Sequence, residues 1–233
     1  MADPRLADIL SRMDPDDRTD LLEDLPSRVV RRLLDLLSEE EREEALTLLG
    51  YPEDSCGRLM NTRFIAVSRD RTAAECLTHY RKYASEMKPP NVVFITDGEW
   101  RLVDEIPLGQ LVAAEPAETV AELLDGRVVS IRDDEDREEA VRMIRKYDLS
   151  ALPVVNRNGK LLGVITFDDV MDVQVAETTE DVDKSAAVVP LGESYASASA
   201  GSLTLKRIPW LALLGLTGFL SGSVIAAFEN VLE

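Results

Sequence analysis

LPVVNRNGKLLGVITFDDV, from Leu152 to Val170, places two apolar, β-branched runs on either side of a polar turn that ends in Asn158-Gly159. Runs of this kind around an Asn-Gly dipeptide predict a β-hairpin, ALPVV pairing with KLLGVITF. Upstream, RVVSIRDDEDREEAVRMIRKY, beginning at Arg127, reads as a short strand followed by an amphipathic helix. Downstream, Asp168 to Val173 reads as a short helix. The whole predicts a β-α-β-β-α unit.

The same order occurs earlier in the chain. RFIAVSRDRTAAECLTHYRKY, beginning at Arg63, matches the Arg127 stretch at a constant offset: Ile65 falls over Val129, Val67 over Ile131, Leu77 over Val141 and Tyr83 over Tyr147. It predicts a strand over Phe64 to Val67, a helix from Thr72 to about Tyr83, strands in NVVFIT and RLVDEIPL around Asp97-Gly98, and a short helix near Gly109 to Ala113. Two such units, each with an apolar sheet face, bury those faces by packing on one another. Within the second copy, Thr166 and Asp169 form a T-x-x-D pattern, whereas the first copy carries Pro107 and Gln110 there and Asp104 where Gly163 stands.

Residues 1 to 50 follow a different rhythm. Leu21-Leu22, Leu33-Leu34 and Ala45-Leu46 recur about every twelve residues, following Met13, Leu25 and Leu37. Asp14-Pro15-Asp16, Pro26-Ser27 and Ser38 with Glu39 to Glu41 place caps, first-turn prolines and first-turn acids where short helices should begin. Such helices bury one apolar stripe each and need neighbours, so a docked helical unit is expected. YPEDSCGRLM, Tyr51 to Met60, breaks this period and leads into the first β unit.

Composition narrows the function. The formal charge of −18 leaves no broad basic surface for phosphates, so nucleic acid is excluded as a partner. An excess of acid suits either a solvated surface or oxygen ligands for Mg²⁺ or Ca²⁺. Cys56 and Cys76 form no CxxC, and His79 is the one histidine, so a zinc site is not expected. No nucleophile–base pair, phosphate loop or metal–His set is present, which argues against an enzyme. The N-terminus has no basic region followed by an apolar run, so it does not read as a secretory signal.

The densest acid cluster is Asp168, Asp169, Asp172, Glu177, Glu180, Asp181 and Asp183. Asp169 and Asp172 are three apart, and Glu177 lies three and four residues from Glu180 and Asp181. Like charges on adjacent helical turns repel by roughly 0.2 to 0.5 kcal/mol per pair, which a divalent cation would reverse. Glu138 and Asp148 are further carboxylates that the fold could bring near. Spacing alone equally allows a solvated acidic helix face. The segment after Val173 reads as a helix, and GESYASASAGS as a loose connector. Ile208 to Phe228 is free of charge and long enough as a helix to cross a hydrocarbon core of roughly 30 Å. Lys206 and Arg207 just before it place the preceding body on the cytoplasmic side. Gly218-x-x-x-Gly222 suits close approach of another helix or ordinary glycine usage in a span.

LPVVNRNGKLLGVITFDDV in its β-α-β-β-α context resembles a CBS-domain pair. In such modules the positions of Thr166 and Asp169 hold the ribose of an adenine nucleotide such as ATP or AMP, and the first copy's Pro107, Gln110 and Asp104 imply a single site. The ordered set of the DPDD…LP repeat, YPEDSCGRLM, the CBS pair, DDVMDVQVAETTED and RIPWLALLGLTGFLSGSVIAAFE resembles the cytoplasmic part and first membrane helix of the MgtE-type magnesium transporter family. That resemblance implies Mg²⁺ bound by Glu138, Asp148, Asp169, Asp172, Glu177, Glu180 and Asp181. It further implies a homodimer formed through the CBS pair, and a connecting plug helix that closes a pore when Mg²⁺ is high. The expected fold class is α+β: a helical repeat at 1–58, a degenerate first CBS unit at 59–116, a second at 117–173, an acidic connecting helix and linker at 174–202 and a transmembrane helix at 203–232. The expected location is the cell (inner) membrane, with lipid around Ile208 to Phe228 and the bulk in the cytoplasm. The family has a longer helical N domain and further membrane helices, so the sequence reads as truncated before the full pore. The alternative is a membrane-anchored CBS module regulated by an adenine nucleotide.

Overall fold

The computed structural model describes residues 4–84, 87, 91–175 and 200–227. The chain divides into two compact units, Met1–Val173 and Gln174–Glu233. The first begins with four short helices, α1 (Pro4–Arg12), α2 (Pro15–Glu23), α3 (Ser27–Leu34) and α4 (Glu39–Leu49), then a single turn, α5 (Cys56–Leu59). Their starts are where the capping residues stand: Asp14, Pro26 and Ser38 are the N-caps of α2, α3 and α4. Ser38 forms a reciprocal cap, its backbone N donating to Glu41 Oε2 at 2.9 Å while its hydroxyl accepts from Glu41 N at 3.3 Å. The apolar stripes converge on a core of Leu10, Leu22, Leu33, Leu34, Leu37 and Ala45. Leu46 departs from the expected period and is exposed, because Ala45 and Leu48 turn inward on α4 instead.

The two β units follow. The first contains β1 (Ala66–Ser68), α6 (Ala73–Tyr83), β2 (Val92–Thr96), β3 (Leu102–Pro107) and α7 (Leu108–Ala113); α8 (Val120–Leu123) connects it to the second. The second contains β4 (Ile131–Arg132), α9 (Arg137–Tyr147), β5 (Ala151–Val155), β6 (Leu161–Thr166) and α10, a helix over residues 167–175. Each sheet has three strands, β1-β2-β3 and β4-β5-β6, the first pair parallel and the second antiparallel. The copies agree down to the register: Val92 pairs with Pro107 as Ala151 pairs with Thr166, and both hairpins bulge at one position, Ile95/Thr96 and Val154/Val155. The hairpin loops are longer than two-residue turns. Asp97 Oδ1 accepts from the amides of Glu99 and Arg101, and Asn156 Oδ1 accepts from those of Asn158 and Lys160. The left-handed residue is Gly159 (φ 76) in the second loop and Trp100 (φ 64), rather than Gly98, in the first.

Phe94, Ala151, Val155, Leu161 and Val164 form one core with Phe64, Ala66, Val92 and Leu102, which joins the two sheets. Phe94 is fully buried there, edge-to-face with Phe64 at 6.4 Å, and removing such a ring from water contributes about 3 kcal/mol. In the second unit, α11 (Ala200–Ala227) takes up the apolar run as a helix of 28 residues. Among the described residues no helix is long and apolar enough to cross a membrane.

Candidate functional site

Thr166 ends β6 and caps α10. Its backbone N donates to Asp169 Oδ2 at 2.7 Å and its hydroxyl reaches the same oxygen at 2.6 Å, with the Asp168 carboxylate also in reach. Thr166 and Asp169 are both buried. The two residues of the T-x-x-D pattern therefore act first on each other, as a cap that fixes both carboxylate and hydroxyl at the strand end.

Three residues before Thr166, Gly163 lies against the junction. A Cβ there would be 2.8 Å from Asn61 O and 2.8 Å from Met60 Cγ and Sδ. Asn61 adds a short rung to β6, its N donating to Val164 O at 2.8 Å and its carbonyl accepting from Val164 N at 2.9 Å. In the first copy, Asp104 fills the Gly163 register. Its Oδ1 accepts from Glu105 N at 2.9 Å, and its Oδ2 from Asp125 N at 3.0 Å and Gly126 N at 2.8 Å. The side chain is almost completely buried, so the first copy places a carboxylate where the second is packed against the junction. Pro107 offers no side-chain cap to α7, and Gln110 Nε2 donates to Leu123 O at 3.2 Å. Among the described residues the T-x-x-D pattern is thus confined to the second copy.

The acids the sequence ranked first are only partly described. Asp172 lies exposed on α10; Glu177, Glu180, Asp181 and Asp183 lie outside the described residues. Glu138 is exposed in the first turn of α9, where its N donates to the cap Asp136 at 2.8 Å, and Asp148 is the left-handed C-cap (φ 54) of the same helix. Ten residues of helix separate them by about 15 Å, so they do not meet within one chain.

The structure instead adds carboxylates from α2. Asp14, Asp16 and Asp17 bring ligand oxygens within 4.8 Å of one another at its N-terminus, where the helix dipole favours negative charge. Asp16 is buried and accepts from Asn61 Nδ2 at 2.9 Å. One turn on, the Asp20 carboxyl is held above its ordinary range, first by partial desolvation and then by Asp24, with Asp172 adding to it and Arg137 opposing. Glu23 is likewise raised by desolvation, with Arg58 and Arg137 opposing and Glu53 and Asp20 adding. Arg58 Nε is 2.6 Å from Glu23 Oε1. Asp20 of α2 and Asp172 of α10 thus lie within electrostatic reach of one another. Sequence reasoning assigned Asp16 only to a helix start and passed over Asp20; the i,i+4 spacing of those acids was the available signal.

Arg18 and Glu44 tie this helical unit to the first β unit. Arg18 is fully buried, its Nη2 2.6 Å from Glu44 Oε2; Thr62 donates to Glu44 Oε1, and Arg63 lies 3.9 Å from the same carboxylate. Burial pushes Cys56 up to about 12 and Cys76 up to about 11, which leaves both as inert thiols. His79 is lowered by partial burial, then by Arg71 and Lys82.

Residues 1–54 match the family model described as the MgtE intracellular N domain, and residues 103–176 match the CBS domain. The magnesium transporter MgtE of Thermus thermophilus is 39% identical over 203 residues, 87% of this chain and 45% of that protein. The magnesium transporter MgtE of Bacillus subtilis is 33% identical over 225 residues, 96% of this chain and 49% of that protein. The chain thus spans about half the length of these curated relatives. Among solved structures, the soluble part of a magnesium transporter superposes with a TM-score of 0.71 at 33% identity, covering 73% of this chain and 67% of that one. The cytosolic domain of the Mg²⁺ channel MgtE in complex with ATP superposes with a TM-score of 0.71 at 36% identity, covering 72% and 69%. The matched N-domain helices, the paired CBS sheets and this agreement over most of the chain establish that it belongs to the MgtE magnesium transporter family.

Proposed function

We propose that this chain is the Mg²⁺-sensing regulatory part of a magnesium transporter, and not an enzyme. The observation that carries the reading is that Asp172 of α10 lies close enough to Asp20 of α2 to add to the upward shift of its carboxyl. Unscreened, that repulsion favours separation of the helical unit from the second CBS unit; a divalent cation with oxygen ligands converts it into a link. Asp169, Asp172, Glu177, Glu180 and Asp181 are the proposed ligands leading towards the connecting helix, which would close a pore at high Mg²⁺. Glu138 and Asp148, at opposite ends of α9, would serve different ions or ions shared with the second copy of a homodimer. In the same reading α11 crosses the cell membrane, with Lys206 and Arg207 on the cytoplasmic side.

The test is hydrogen exchange of the full chain while MgCl₂ is raised into the millimolar range. Amides of α2 and α10 should become protected, and Asp20→Asn with Asp172→Asn should abolish the response. Exchange indifferent to Mg²⁺ would refute the reading.

A second reading is favoured by the buried Thr166–Asp169 pair and by the ATP complex of the related cytosolic domain. An adenine nucleotide, ATP or AMP, would place its ribose hydroxyls against the Asp169 carboxylate. Calorimetry should give binding heat with ATP or AMP that Asp169→Ala removes, and absence of heat in the wild-type chain would rule it out.

A further inference from the structure

We propose that Glu105 is a proton-operated latch between the two CBS units, allowing their sheets to close on one another while its carboxyl is neutral and loosening them once it is ionised. The inference stands apart from the Mg²⁺ reading and uses none of its ligands.

The strand register puts Glu105 on the face that joins the units. On β3 it stands opposite Phe94 of β2, as Val164 of β6 stands opposite Pro153 of β5. Cross-strand partners share one face of a sheet, and both Phe94 and Val164 are fully buried in the core common to the two sheets. Its neighbours Asp104 and Ile106 lie opposite Ile95 and Val93, which belong to the separate core of the first unit. Where the second unit turns a valine towards the shared core, the first therefore turns a carboxyl.

The surroundings of that carboxyl suit its neutral form. Oε2 is closed to solvent and accepts no hydrogen bond among the described residues, and the residues of the shared core are all apolar. The charged groups that act on it are Asp104 on its own strand and Asp125 in the segment after α8, both acids. The Asp104 oxygens are already engaged, accepting from the amides of Glu105, Asp125 and Gly126. A carboxylate buried without a donor or a cation costs far more than the neutral acid. Burial first, then the two acids, push the Glu105 carboxyl up to about 7, so it changes state near neutral pH. Once ionised it gains by reaching water, and water reaches Oε2 only if the sheets part at that edge.

Two backbone bonds report on that parting. Leu102 N donates to Gly159 O at 3.0 Å and Leu161 N to Trp100 O at 3.1 Å, so the hairpin loops of the two units are stitched together by two rungs. Both leucines also pack in the shared core. Bonds internal to one unit are the reference: Phe94 N donates to Ile65 O at 3.2 Å in the first, and Asp133 N to Val155 O at 3.0 Å in the second.

The experiment is hydrogen exchange of the full chain, wild type against Glu105→Gln and Glu105→Val, at about pH 5.5 and about pH 8, on either side of the transition. Comparing chains at one pH cancels the dependence of the exchange chemistry on hydroxide. At the higher pH, the amides of Leu102 and Leu161 should exchange about threefold to tenfold more slowly in Glu105→Gln than in wild type, part of the full effect of the charge because the group is only half-buried. Phe94 and Asp133 should change less. At the lower pH, Glu105→Gln and wild type should agree. Glu105→Val, which copies Val164, should give the same slowing at the higher pH and decides the matter if the glutamine chain does not fold. Slowing of equal size at both pH values would show a packing effect and overturn the role of the proton. Slowing spread evenly over Phe94 and Asp133 would show a general gain in stability and overturn the latch, and no slowing at either pH overturns both.

Discussion

Substituting Gly163 by alanine tests how the junction is welded to the second CBS unit. The added Cβ would stand 2.8 Å from Met60 Cγ and Sδ and 2.8 Å from Asn61 O. The methionine is flexible and can turn away. The carbonyl cannot, because it accepts from Val164 N at 2.9 Å, and the return bond from Asn61 N to Val164 O measures 2.8 Å. Relief therefore requires spreading the rung. Overpacking of this kind costs about 1 to 3 kcal/mol, and two weakened backbone bonds add about 1 kcal/mol each at most. The lower chain entropy of alanine returns about 0.5 to 1 kcal/mol. The net expectation is a loss of about 2 kcal/mol, a fall in Tm of roughly 4 to 8 °C for a protein of this size. Gly98→Ala is the control, since nothing lies within 4 Å of a Cβ there and its φ is not positive; it should change stability by no more than about 0.5 kcal/mol. The assay is thermal unfolding by circular dichroism together with exchange at Asn61 and Val164. A Gly163→Ala chain as stable as wild type, with both amides still protected, would refute the account of the junction.

Other perturbations have equally definite outcomes. Asn61→Ala removes the donor to buried Asp16 and the acceptor of Arg63 N at 2.8 Å, so urea unfolding should show a loss of about 2 kcal/mol. Glu105 has a buried oxygen, Oε2, without a hydrogen bond, and burial, then Asp104 and Asp125, push its carboxyl up to about 7. Because the folded pKa is the higher, the stability it confers is complete below pH 4.5 and drains away as pH rises to about 7. Discounted for solvent screening, Glu105→Gln should recover about 1 kcal/mol at pH 8 and almost nothing at pH 4, as read from urea midpoints at the two pH values. Cys56 and Cys76, pushed up to about 12 and 11, should resist Ellman's reagent at pH 8 until denaturant is added, and prompt labelling of the folded chain would contradict their burial.

Much of the architecture was legible because its signals are local or repeated. The period of the first 50 residues, with caps at Asp14, Pro26 and Ser38, located α2 to α4. The offsets between copies located the strands of both units, since alternation and turn residues act over a few positions; the bulge that the two hairpins share emerged only from the register. The one-turn helices α5 and α8 were not legible: four residues carry no period, and both exist through tertiary bonds, such as Cys56 N to Glu135 O and Val120 N to Arg71 O. Trp100 was missed for a similar reason, as the loop is set by the Asp97 carboxylate and not by Gly98.

The sequence by itself determined the α+β class, the tandem units and the apolar run; that Thr166 and Asp169 bond to each other was visible only in the structure. Only the tertiary structure decided which acids come within electrostatic reach of one another. Asp20 and Asp172 are 152 positions apart in numbering, and no periodicity relates them; they come within electrostatic reach because Asn61 bonds to Asp16 on one side and to Val164 on the other. Glu138 and Asp148, close in sequence, are held apart by the rise of the helix between them. Charge interactions depend on distance through space, and that distance is set by packing of the junction rather than by order along the chain.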